Sequence, residues 1–87
     1  MRVVIVWREE SDYAREVRSW IHDFENRTGV AVESINPDEP NGISLCKAYD
    51  VVEYPTILAL EDDGMMMQMW RGTPMTSIDS VAFYASN

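Results

Sequence analysis

The sequence predicts an α/β domain built on a mixed sheet, and three observations lead there. Residues 2–8 carry a nearly continuous apolar run, Val3-Val4-Ile5-Val6-Trp7. An unbroken run of this kind marks a central strand buried on both faces, because a half-exposed strand alternates apolar with polar residues. Next, Tyr13, Val17, Trp20, Ile21 and Phe24 recur at helical spacing, with Arg15, Glu16, Arg18, Ser19, His22 and Asp23 on the other side. Near the C-terminus, Asp62-Asp63-Gly64 joins two extended runs, a strong hairpin signal. A parallel or mixed sheet covered by helices satisfies all three.

The elements follow in order. The helix after the first strand has Ser11 as a good N-cap and Gly29 as a left-handed terminator. "VAVESI" (30–35) reads as a second strand, and the two prolines of "NPDEPNG" exclude regular structure after it. A short helix over 43–50 takes Asn41 as its cap. "PTILALE" (55–61) and "MMMQMWR" (65–71) form the hairpin. Gly72 and Pro74 break the chain before Thr76 or Ser77 caps a last helix, whose apolar face is Ile78, Val81, Ala82 and Tyr84. The sum is β-α-β-α-β-β-α: one domain over residues 1–87, with a four-stranded mixed sheet flanked by helices.

Composition narrows the function. The net charge is −8, from 7 basic and 15 acidic residues. Phosphate binding needs clustered Lys and Arg, so nucleic acid and anionic membrane are disfavoured as partners. The imbalance lies in residues 30–87, where only Lys47 and Arg71 face nine acids. Any steering by that charge favours a basic protein or peptide partner. No segment approaches the ~20 apolar residues of a membrane span, and the N-terminal apolar run is too short for a signal peptide, so a cytoplasmic protein is expected. The single cysteine, Cys46, excludes an internal disulfide and a four-cysteine zinc site.

"KAYDVVEYPTILALEDDG" (47–64) resembles a stretch of the thioredoxin and glutaredoxin family. There a helix ends in Tyr, an apolar Val or Ile follows, and a Pro-Thr dipeptide opens an apolar strand. "WRGTP" (70–74) is similar to the family's strand end, with Gly72 in the glycine position. The resemblance covers most of the chain, and the predicted order of elements is that of the thioredoxin-like fold. It places Pro55 at the family's cis-proline. A proline opening a strand loses no ladder donor, and cis costs only ~0.5–1 kcal/mol at an X-Pro bond; the residues alone admit either isomer. The resemblance also implies that Tyr54 flanks the site where the family binds peptide or glutathione.

At the start of the first helix the family carries Cys-x-x-Cys, because a helix N-terminus stabilises a thiolate. The corresponding residues here are Ser11-Asp12-Tyr13-Ala14, with no thiol. Serine chemistry does not replace it: the only histidine, His22, lies eleven residues further on, roughly 16 Å along the same helix. Glu9, Glu10 and Asp12 would repel an anion such as glutathione from that terminus, and nothing desolvates them into an acid–base pair. Cys46 reads either as a small buried hydrophobe or as a single reactive thiol beside Lys47. Met65, Met67 and Met69 are expected on one face of the last strand, with Met66, Gln68 and Trp70 on the other. They pack beneath helices, form an adaptable protein-binding strip, or offer thioethers to copper(I).

The expectation is a thioredoxin-like interaction or regulatory module with no redox dithiol, no cofactor and no metal. Its contact groove is Trp7, Ser11, Asp12 and Tyr13 opposite Tyr54 and Pro55. The competing expectation is a redox protein or sensor that uses Cys46.

Overall fold

A computed structural model of the chain describes residues 1–85. Seven elements appear in the expected order: β1 Arg2–Val6, α1 Ala14–Thr28, β2 Val32–Ile35, α2 Pro40–Tyr49, β3 Thr56–Leu60, β4 Met66–Arg71 and α3 Ile78–Ala85. The sheet order is β2-β1-β3-β4, with β1 parallel to β2 and antiparallel to β3, and β3 antiparallel to β4. β1 is therefore interior, and Val3, Val4, Ile5 and Val6 are all fully buried. Alternate side chains of a strand point to opposite faces, so this one strand feeds two cores. Val3, Ile5 and Trp7 pack with Val17, Trp20 and Phe24 of α1 and Val81 of α3. Val4 and Val6 pack with Leu58, Leu60 and Val51, and Leu45 and Tyr49 of α2 close that side.

α1 carries its apolar stripe at the expected spacing, with Val17, Trp20 and Phe24 buried and Tyr13 and Ile21 partly so. Trp20 stacks on Phe24 at 5.0 Å, and its indole N–H donates to the Thr76 carbonyl at 2.7 Å. That bond satisfies the one polar atom of a buried tryptophan and fastens the segment before α3 to α1. Gly29 ends the helix at φ 72, as its sequence position implies, and its N–H reaches the Glu25 carbonyl. α3 settles the choice of cap in favour of Ser77, whose Oγ accepts the Ser80 N–H at 3.2 Å. Among the described residues no helix is long and apolar enough to cross a membrane.

Three details differ from the expectation. Ser11 does not cap α1. The helix begins at Ala14 with Tyr13 as N-cap, while the Ser11 hydroxyl donates back to the Arg8 carbonyl at 2.6 Å. Nor does Asn41 cap α2, which starts earlier, at Pro40, after Glu39. A proline at the first helical position loses no helical hydrogen bond, so "EPNG" opens the helix instead of preventing it. Lastly, the register between β3 and β4 shifts at Ala59 and Leu60: Gln68 faces Ala59, but Met66 faces Leu60. Met67 is the extra residue of a bulge, and strict alternation along the methionines is lost.

Gly42 is fixed by close approach. A Cβ there would lie 1.8 Å from the Asn36 carbonyl oxygen, so α2 seats directly on the backbone after β2. Gly29, by contrast, has open space and only a positive φ. Gly42→Ala is expected to lower stability by about 3 kcal/mol or more, because backbone must move. Gly29→Ala should cost about 1–2 kcal/mol, the left-handed conformational penalty alone. Urea denaturation of the two variants checks the difference, which vanishes if α2 does not rest on Asn36.

Candidate functional site

β1 delivers the chain to the edge of the core at Trp7, whose N–H still pairs with the Ile35 carbonyl at 3.0 Å. Residues 8–10 are exposed, and a tight turn leads into α1, with the Ala14 N–H reaching back to the Ser11 carbonyl at 3.4 Å. Arg8 is the residue on which this region converges. Its backbone N–H donates to the Tyr13 hydroxyl at 3.0 Å, and its carbonyl accepts from Ser11. Its guanidinium lies 4.8 Å from the centre of the Tyr54 ring. The same guanidinium grips Asp38 with two bonds, Nε at 2.8 Å and Nη2 at 2.9 Å.

Paired bonds between a planar guanidinium and a carboxylate are the most directional ion pair available to a protein. This pair spans thirty residues and joins the turn before α1 to the loop before α2, while the contact over Tyr54 reaches the loop before β3. Across from Arg8, the Tyr54–Pro55 bond is cis, as is Thr73–Pro74. The Pro55 carbonyl accepts the Gly72 N–H at 2.7 Å, and the Thr56 hydroxyl donates to the Glu53 carbonyl at 2.6 Å. The loop that presents Tyr54 is thereby tied to the start of β3 and to the residue that follows β4.

Of the expected groove residues, Ser11, Tyr13 and Tyr54 come together around Arg8, with each side chain half-buried. Asp12 is exposed beside them. Trp7 and Pro55 do not offer contact surface as expected: Trp7 is 5% exposed and Pro55 less than 2%. Trp7 is the last residue of the apolar run and packs against α1, while Arg18 covers its ring at 5.6 Å. The length of that run was the signal that it belongs to the core. Arg8 itself was not singled out, since nothing local marks an arginine whose partners lie thirty and forty-six residues away.

The remaining candidates lie apart. His22 is exposed on α1 and pairs with Asn26 at 3.0 Å. Glu16, the acid in the first turn of α1, accepts the Met75 N–H at 2.7 Å. The bulge regroups the methionines: Met69 packs in the α2-side core, Met66 lies opposite Leu60 on that same face, and Met65 lies outside β4, 65% exposed. The expected face of Met65, Met67 and Met69 on one regular strand, on which the copper(I) reading stood, is therefore not formed. Among the described residues no group of three His, Cys, Asp or Glu side chains is placed to hold a metal ion. Cys46 is free and half-buried, on the α2 side near Tyr54. Burial, and then the neighbouring Cys46, push the Tyr54 phenol up, so it stays neutral across the physiological range.

The hydrogen bond from Arg8 holds the Asp38 carboxyl below its ordinary value of 3.8. A folded value below the unfolded one means stability that is complete above the unfolded value and lost as pH falls through the folded one. The melting temperature of the wild-type chain should therefore exceed that of Asp38→Asn at neutral pH. The two curves should draw together as pH falls below the ordinary value of 3.8 and through the lowered one. A gap that persists in acid would show that Asp38 acts by packing and not by charge.

No protein-family model matches the sequence, and no curated protein matches it. Solved structures do. The chain is similar to thioredoxin 1 from the thermophilic eubacterium Thermosipho africanus, at 15% identity and a TM-score of 0.71, over 99% of this chain and 91% of that one. It is similar to an uncharacterised thioredoxin-like protein from Clostridium perfringens, at 16% identity and a TM-score of 0.78, over 98% and 68%. A malarial protein aligns at 14% identity and a TM-score of 0.73, over 97% and 91%. At such identities the likeness establishes the thioredoxin-like fold.

Proposed function

We propose that this chain is a thioredoxin-fold module that binds a protein or peptide partner and performs no dithiol exchange. The observation that carries the reading is the state of the turn before α1. Where the fold can place two thiols, Ser11 and Tyr13 are bound to the backbone of Arg8, and the guanidinium of Arg8 extends over Tyr54 to Asp38. These groups make a braced polar surface, with Asp12, Tyr13 and Tyr54 available for contact. Fold alone does not give function, so the reading rests on these side chains. Action in the cytoplasm belongs to the same reading, which has a lone unpaired thiol to keep reduced.

Two measurements test it. In an insulin-reduction assay with dithiothreitol, wild type and Cys46→Ser should both run at the blank rate, and sustained turnover above the blank overturns the redox-inactive role. In pull-downs from native lysate, wild type should recover proteins that an Asp12→Lys, Tyr13→Ala variant does not. Equal recovery removes the turn from the contact surface.

Cys46 supports a second reading because it lines an open cavity together with Lys47 and Tyr54. As a sensor, its thiolate would attack oxidised glutathione, forming a protein–glutathione disulfide and releasing one glutathione thiolate. Under the first reading, Cys46 in the native protein reacts with Ellman's reagent at least about tenfold more slowly than in urea. Equal rates, with a stable glutathione adduct found by mass spectrometry, would favour the sensor.

A further inference from the structure

The charge left unpaired by the fold is not spread evenly. Glu33 is held by Arg2 and Asp38 by Arg8. Asp50, at the C-cap of α2, and Glu53, before the cis-proline loop, are exposed and in no ion pair among the described residues, and so is Glu39 at the start of the helix. Close to these acids along the chain, and beside Asp50 in space, lies apolar surface that the fold leaves uncovered. Val52 is 74% exposed and Ile43 45%, although Val51 beside the first is buried. They border an open cavity of about 310 Å³ floored by Cys46, Val51 and Tyr54, with Lys47 the only cation among its lining residues.

An exposed pair of β-branched residues beside unpaired carboxylates presents two complementary demands. The apolar groups gain from a partner's apolar side chain, and the acids gain from cations placed on either side of it. The cavity is at the small end of ligand sites, large enough for one or two side chains. A nucleic acid or an anionic membrane would meet the acids and be repelled. We propose that this side of α2 docks a short basic peptide segment, an apolar anchor flanked by Lys or Arg, seated between Ile43 and Val52. The proposal rests on the partner-binding reading above but centres the contact on α2 and the loop after it, sharing only Tyr54 with the surface at the turn before α1.

The test pans random-sequence peptides displayed on phage against the full chain, followed by fluorescence anisotropy with the synthetic winners. Enriched peptides should carry Lys or Arg around an apolar residue. Their affinity should fall roughly tenfold in Val52→Lys, a change at an exposed position that leaves the melting temperature in place. It should fall about threefold in Glu53→Gln, with a shallower dependence on salt. Ser19→Lys, on the outer face of α1, should leave it unchanged. Enrichment of acidic or uncharged peptides overturns the proposal, as does binding indifferent to Val52→Lys. Peptides that bind but lose affinity only in Asp12→Lys leave partner binding standing and sink this site alone. No enrichment over bare support sinks both.

Discussion

Everything in this molecule depends on β1 being buried on both faces. A strand with four consecutive side chains fully removed from water needs a strand on each flank and a helical layer above and below. The chain supplies them with β2 and β3, with α1 and α3 on one side, and with α2 on the other. Burying such side chains contributes on the order of 1.5–3 kcal/mol each, which for a chain of 87 residues is a large share of what opposes conformational entropy. Neither helical layer is optional, because the alternation of Val3 and Ile5 with Val4 and Val6 divides the strand equally between them.

The character of the candidate site follows from how that strand ends. Trp7 completes the core, and the next residue is a charged one that must leave it. Arg8 emerges at the point where the turn into α1, the loop before α2 and the cis-proline loop meet; it bonds to the first two and stacks its guanidinium over Tyr54 of the third. There its guanidinium ties the turn to Asp38 and lies over Tyr54, so the junction is braced by a side chain of the protein itself.

Local pattern made most of the fold legible: the unbroken apolar run, the helical stripe of α1, the Asp-Asp-Gly turn, and Gly29. What escaped was set by groups distant in sequence or by direction. Ser11 is a good cap by residue type, but its hydroxyl turns back to Arg8 and the helix begins three residues later. Pro40 and Gly42 read as breakers until α2 is seen to rest on Asn36, where only glycine fits. The bulge in β4 has no local signature, and it brings Met66 onto the face of Met69. In the site, the turn and Tyr54 were legible through the family pattern. Arg8 was not, because its partners are non-local, and Trp7 was misassigned although its own apolar run argued for the core.

The bulge has one more consequence, at the rim of the sheet. β4 is an edge strand rich in methionine, the kind of border on which another chain can add a strand and begin aggregation. The Met69 N–H donates to the side-chain oxygen of its neighbour Gln68 at 2.9 Å, while the bulge at Met67 interrupts the spacing that an incoming ladder would need. A strand arriving here would have to displace a bond the edge already makes and match a register the edge does not keep. On this side the sheet is closed by the chemistry of its own border, with no proline or lysine in β4 to enforce it.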